Sequence, residues 1–251
     1  MLANFDLNHL LTFPIKEPEA RKQFLIGALV YLVSFVIPIL PLLVATGYMM
    51  RIMRQVLKGE PPHMIAWDDW TEMFIDGARL FGVRLVVLVP LFLLLCPLIG
   101  LSIALPFIME NAGHNADWIA LLYPLLFGGF FLLLFPLSLV SGLILPAAEV
   151  HVTDKFEFAA AFRVREWWPI FRVNWSGFLL ALAIAFAVNF ALGLIVQFAM
   201  ITFVLICLLP FLLPVTAMYL SLVMYTAFAQ AYKEGRDRLA VQSLAVPAEG
   251  S

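Results

Sequence analysis

Charge is what this sequence has least of. Asp, Glu, Lys and Arg make up 13% of its 251 residues, where ordinary soluble domains carry about a quarter. Hydrophobic residues reach 63% and the mean hydropathy is +0.99. A water-soluble core cannot absorb that much apolar surface, so a soluble globule is excluded. The net charge of −2 leaves no bulk basic surface for nucleic acid. Cysteine is scarce too: Cys96 and Cys207 both lie inside apolar runs, which excludes a disulfide framework and reads as two small buried residues. The first 23 residues hold Asp6, Glu17 and Glu19 and no basic stretch ahead of a short apolar core, so no cleavable signal is expected. HExxH, GxSxG, P-loop and CxxC patterns are missing. Ser34, Ser102, Ser138, Ser141 and Ser221 have no adjacent His–acid pattern. Neither an enzyme nor a cofactor is expected.

What the chain does have is apolar length. Runs of 18 or more apolar residues recur, each enough to cross about 30 Å of hydrocarbon. All 15 Lys and Arg fall in four groups: residues 16–22, 51–84, 155–172 and 233–238. Short loops rich in Lys and Arg stay cytoplasmic. The first two groups then belong on one side, which requires an even number of crossings between them. Pro38 and Pro41 remove two backbone donors and break a helix, so a tight hairpin there is the preferred reading. The alternative is one long span with an outside basic loop. The loop Glu110–Asp117 has no Lys or Arg and reads as outside.

The expected fold is an all-α integral membrane protein of about six transmembrane helices plus two amphipathic cytoplasmic interfacial helices. The spans fall at about 18–37, 41–58, 83–107, 118–147, 175–200 and 210–232, within a membrane domain of 18–238. Residues 1–17 form an N-terminal interfacial segment, and 239–251 a disordered tail. The break between the last two spans is expected near Leu209 to Pro214. Prolines 90, 97 and 106 should bend the third span. Both termini are expected in the cytoplasm.

The most distinctive stretch is Gly47–Leu80. Arg51, Arg54, Gln55 and Lys58 share one helix face at i, i+3, i+4 and i+7. Gly59 then stands as a C-cap glycine. Asp69 with Glu72 three residues on reads as an acid-capped helix start. Trp67, Trp70, Phe74, Gly77 and Phe81 form an apolar stripe along it, and Asp69, Glu72, Asp76 and Arg79 a polar one. This describes an interfacial helix at about 69–82, with rings at headgroup level. Asp154 and Glu157 repeat the acidic start, giving a second interfacial helix at about 154–168, ended at Pro169.

Gly47-Tyr48, Arg51, Arg54, Gly59-Glu60, Trp67-Asp68-Asp69-Trp70, and Phe74-x-Asp76-Gly77 followed by Arg79 carry a resemblance. The chain resembles the uncharacterised archaeal and bacterial membrane family known as domain of unknown function 4013. The match is dense over Gly47–Arg84, and beyond that only the layout of apolar runs agrees. The resemblance implies a small multi-pass protein of a prokaryotic plasma membrane. It implies no activity, cofactor or catalytic residue.

The candidate functional or interfacial residues are Arg51, Arg54, Trp67, Asp68, Asp69, Trp70, Asp76, Arg79, Arg84 and Asn189. Carboxylates at i, i+3 and i+7 can meet a hard cation. No His stands at helical spacing with these, and Arg79 can pair with Asp76, so a salt-bridged interfacial role is the simpler reading. Arg84 stands at the hydrocarbon edge, where a charge marks either a pathway or a snorkelling side chain. Asn189 and Gln197 are amides within the fifth span, suited to hydrogen-bonding a neighbouring helix or a substrate. Glu149 and His151, two apart, point to different faces of one helix. Two functional readings follow. The first is a non-enzymatic scaffold that binds lipids or a protein partner at its cytoplasmic face. The second is a carrier or channel for a small or amphiphilic solute.

Overall fold

A computed structural model describes residues 7–112, 117–201 and 206–245. Every regular element among them is helical: α1 Leu7–Thr12, α2 Pro18–Val33, α3 Ile39–Lys58, α4 Trp70–Ala112, α5 Asp117–Lys155, a 3-10 turn Phe158–Phe162, α6 Val164–Val173, α7 Trp175–Ile201 and α8 Leu209–Ala245. Three helical stretches, Phe127–Lys155, Trp175–Ile201 and Leu209–Leu244, are long and apolar enough to cross a membrane. The chain divides into two compact units, residues 1–82 with 145–251, and residues 83–144.

The first unit is organised around α8. Its stretch from Met218 to Tyr232 is mostly buried and has no exposed residue. α2, α3, α6 and α7 all pack on it. α7 runs beside α8, with the Phe178 and Phe228 rings 6.3 Å apart. α2 and α3 form a hairpin through a turn at Ser34–Pro38. Ile26, Leu29 and Val33 of α2 face Leu40, Pro41 and Val44 of α3 across a wholly apolar groove. The C-terminal half of α3 is the most enclosed part, with Tyr48, Met49, Met50, Ile52 and Met53 at 0% exposure. Burial of such side chains contributes about 1.5–3 kcal/mol each. The second unit comprises the parts of α4 and α5 from 83 to 144. Within it Leu95 and Leu105 are buried, while Phe92, Leu93, Phe107, Leu125, Leu132 and Phe135 are exposed. So much uncovered apolar area suits hydrocarbon and not water.

Several expected boundaries move. α2 ends at Val33 and α3 begins at Ile39, so Pro38 caps α3 and Pro41 lies in its first turn, where its missing N–H leaves no gap. The amphipathic stretch at 69–82 runs into the apolar stretch from 83 without a break, as expected of an entry helix. α4 is one helix, continuing through Pro90, Pro97 and Pro106. α5 runs on to Lys155, past the expected end at 147, because Ala147 to Thr153 are buried in the first unit. The helix expected over 154–168 is instead a 3-10 turn followed by α6, which passes through Pro169 to Val173. α8 already starts at Leu209 and runs through Pro210 and Pro214, so the preceding break lies N-terminal to that pair. It continues to Ala245, where a tail was expected from 239. Residues 1–6, 113–116 and 246–251, on which other expectations fell, lie outside the described residues.

Candidate functional site

The residues singled out between Gly47 and Arg79 meet where the C-terminal half of α3 crosses the start of α4. Two glycines permit that crossing. A Cβ on Gly47 would fall on the backbone carbonyl of Met73, and one on Gly77 on the carbonyl of Leu43. A Cβ on Gly77 would also come within 2.9 Å of the Gly47 nitrogen. The two backbones therefore touch, as small-residue pairs allow. This close approach brings the polar faces of the two helices together.

Two ion clusters result. Arg51 reaches Asp69 at 2.9 Å and Glu72 at 3.3 Å. The Arg51 hydrogen bond holds the Asp69 carboxyl below the usual carboxylate range. Arg54 reaches Asp76 at 2.8 Å, and Arg79 meets the same carboxylate at 2.7 Å. Asp76 is buried, so this is a carboxylate clamped between two guanidiniums away from water. The Arg54 guanidinium also lies 3.9 Å above the Phe156 ring. Among the described residues its Nε and Nη2 have no hydrogen-bond partner, and the π face supplies the attraction instead. Phe156 holds this place in a left-handed backbone conformation, φ 59°, a setting that normally favours glycine and strains a bulky side chain.

The segment between α3 and α4 is pinned by aromatic and amide groups. α3 ends at Gly59, φ 88°. Gln55 then accepts the His63 backbone N–H at 2.9 Å. The Tyr48 hydroxyl bonds Ile65 N–H and C=O, each at 3.0 Å. Trp67 stacks flat on Tyr48 with centroids 4.0 Å apart, and its indole N–H donates to the Gln23 carbonyl at 2.9 Å. Trp67 is thus buried, at a bend in the non-helical segment ahead of α4, and not part of a helical stripe at headgroup level. Trp70, the first residue of α4, is exposed, as is Asp68. Asp69 lies 3.5 Å from the Glu72 N–H, a loose cap, so its main bond is to Arg51. Arg84 is half-buried and belongs to the second unit.

A second polar cluster was not anticipated from sequence. His151 of α5 is buried, with Nδ1 2.6 Å from the Tyr232 hydroxyl and Nε2 3.1 Å from Glu166. The carboxylate can only accept, so Nε2 carries the proton and Nδ1 accepts from Tyr232. Arg236 bonds Asp154 at 2.7 Å and the Leu57 carbonyl at 2.8 Å. Asn174 donates to the Ala231 carbonyl at 2.8 Å. These bonds tie α5, α6 and the end of α3 to α8. Their partners lie 15 to 179 positions apart in the chain, beyond any local spacing rule.

Asn189 lies elsewhere, on exposed helix surface in α7. It lines a groove of about 480 Å³ with Tyr31, Ser34, Thr216 and apolar residues of α2, α7 and α8.

These features define an all-α chain that carries helices long and apolar enough to cross a membrane. Residues 30–201 match the family described as "Protein of unknown function (DUF4013)", and the chain belongs to that family. No curated protein and no solved structure matches it.

Proposed function

We propose that this is a multi-pass integral protein of a prokaryotic plasma membrane, acting without catalysis as a scaffold for lipids or a protein partner. Its apolar helices enter the membrane as three pairs, α2 with α3, α4 with α5, and α7 with α8, giving six segments with both termini cytoplasmic. The observation carrying this reading is that the motif residues are occupied with one another. Asp69 and Glu72 hold Arg51, Asp76 holds Arg54 and Arg79, and His151 bonds Tyr232 and Glu166. Such groups fix helices and leave no acid, base or nucleophile aimed at a substrate. The exposed residues beside them include, with the acidic Asp68, Glu72, Glu157 and Glu166, a set of aromatic and basic ones: Trp70, Phe158, Phe162, Trp168, Arg163 and Arg165. Rings and cations of this kind suit the headgroup layer and a cytoplasmic partner.

The test is gentle detergent extraction from native membranes, with proteins and lipids identified. A stoichiometric partner is expected, and Trp70→Ala should reduce its recovery several-fold while leaving the thermal midpoint unchanged. Trp67→Ala is unsuitable, since its loss would loosen the packing itself. A chain that purifies alone under every mild condition sinks the scaffold.

The groove at Asn189 favours a second reading, a carrier of an amphiphilic solute. The Asn189 amide makes no hydrogen bond to another described residue, and an amide left unpaired in hydrocarbon costs several kcal/mol. A solute polar group would relieve this. Proteoliposome flux of that solute should fall at least tenfold in Asn189→Ala. Absence of flux across a broad solute panel would discard the carrier.

A further inference from the structure

We infer that the α2–α3 hairpin is a re-entrant wedge, seated in the hydrocarbon of the cytoplasmic leaflet and turning back before the far side. This rests on the cytoplasmic placement of the basic groups proposed above. It changes the first helix pair from two crossings to none and leaves four full crossings.

The first support is length. From Lys22 to the end of α2 at Val33 is about 17 Å at 1.5 Å per residue, and from Ile39 to Arg51 about 18 Å. With the basic residues held at the headgroups, the tip reaches only part-way through about 30 Å of hydrocarbon. α7 by contrast has 27 residues from Trp175 to Ile201 without one charge, about 40 Å.

The neighbours give a second, independent measure of depth. Ser34 and Phe35, at the tip, line the groove with Asn189, Gly193 and Val196 of α7 and with Leu213 and Thr216 of α8. α7 continues from Val196 to Ile201, about 8 Å further, before its connection to α8. The tip therefore stops short of the level at which the α7–α8 pair turns.

The chemistry of the tip agrees. Phe35 and Val36 are 64% and 82% exposed, and Ile37, Ile39 and Leu40 are exposed as well. A turn in water would carry Gly, Asn, Asp or Ser. Here Ser34 is the sole polar side chain from 34 to 41, and its hydroxyl bonds back to the Tyr31 carbonyl at 2.5 Å. The backbone of residues 34–37 is equally self-contained. Ser34 N–H donates to Val30, Phe35 to Leu32, and both Val36 and Ile37 to Val33, at 3.0–3.2 Å. Pro38 and Pro41 have no N–H at the positions where a helix start leaves donors unpaired. Ile39 and Leu40, in the first turn of α3, are the turn's remaining open donors, and the others are satisfied within the hairpin or absent, as hydrocarbon favours. The Tyr31 hydroxyl bonds Ser221 of α8 at 2.8 Å and fixes the wedge to the central helix.

The experiment places single cysteines in the full chain in oriented proteoliposomes, with Cys96→Ala and Cys207→Ala as background. Val36→Cys should resist water-borne maleimide from both sides and react once the protein is denatured. A nitroxide at Val36 should collide more with oxygen than with a water-soluble nickel complex, as at the middle of a bilayer. Labelling of Val36→Cys from the outer side, with His63→Cys protected there, would mean a full crossing and overturn the wedge while sparing the topology. Labelling from the cytoplasmic side would put the tip in water and overturn it too. Labelling of His63→Cys from the outer side would overturn the topology and the wedge together.

Discussion

Gly47→Ala and Gly77→Ala will each unseat α4 from α3, and they should be among the most damaging single-methyl changes in this chain. The added carbon meets a carbonyl of the facing helix in both cases, Met73 for one and Leu43 for the other. A clash with backbone cannot be relieved by a rotamer change, so the helices must part. Overpacked cores lose about 1–3 kcal/mol and occasionally more, and this site belongs at the top of that range. The parting also pulls Arg51 from Asp69 and Arg54 from Asp76, so the loss should exceed the steric term. Gly100 provides the comparison, because nothing lies within 4 Å of a Cβ there. Gly100→Ala should be neutral or stabilise by up to about 1 kcal/mol through helix propensity. Thermal unfolding in mild detergent, followed by tryptophan fluorescence, reads all three. Equal midpoints for Gly47→Ala and Gly100→Ala would show that the crossing is not backbone on backbone.

Asp76→Asn is the second change expected to be severe. It leaves Arg54 and Arg79 facing each other without the carboxylate that both bond. Removing one partner of a buried ion pair costs about 3–5 kcal/mol. Arg79 is partly exposed and can turn to water, so about 3 kcal/mol is expected, or roughly 6–12 °C in midpoint for a chain of this size. Asp68→Asn, two residues before α4 and exposed, should stay within about 0.5 kcal/mol of the parent. Replacing the pair together, Arg54→Met with Asp76→Leu, should recover much of the loss, since apolar residues fill such sites without a desolvation penalty. If Asp76→Asn matches Asp68→Asn, the cluster contributes nothing to stability and Asp76 must be sought in function instead.

Phe156 makes the cluster harder to replace. Its left-handed backbone costs on the order of 1–3 kcal/mol, tolerated because the ring lies under Arg54. That left-handed φ takes the chain out of helical geometry directly after Lys155, where α5 ends, and the 3-10 turn follows at Phe158.

Much of this architecture was legible in the chain itself. Scarce charge and apolar length dictate long helices, because only a helix satisfies its own backbone where water is absent. The pattern of Pro18, Gly59 and the acidic Asp69 placed three helix ends within a residue or so. Spacing of three predicted the Asp76–Arg79 pair, since neighbours on one helix face follow from its period. Other features could be decided only by packing. Sequence put Trp67 on an exposed helical stripe, but a tertiary stack on Tyr48 and a bond to Gln23 draw it inside. Nothing local to Arg54 announces Asp76 or Phe156 as its partners, and nothing local to His151 announces Tyr232 or Glu166. The end of the fourth apolar run, expected at 147, was misplaced for a related reason: a change from apolar to polar side chains does not interrupt backbone hydrogen bonding, and burial in the first unit carries α5 onward. Periodicity and composition are properties of neighbours in sequence, so they fixed which segments are helical. Which helix touches which, and through which glycine, depends on shapes that meet only after the chain has folded.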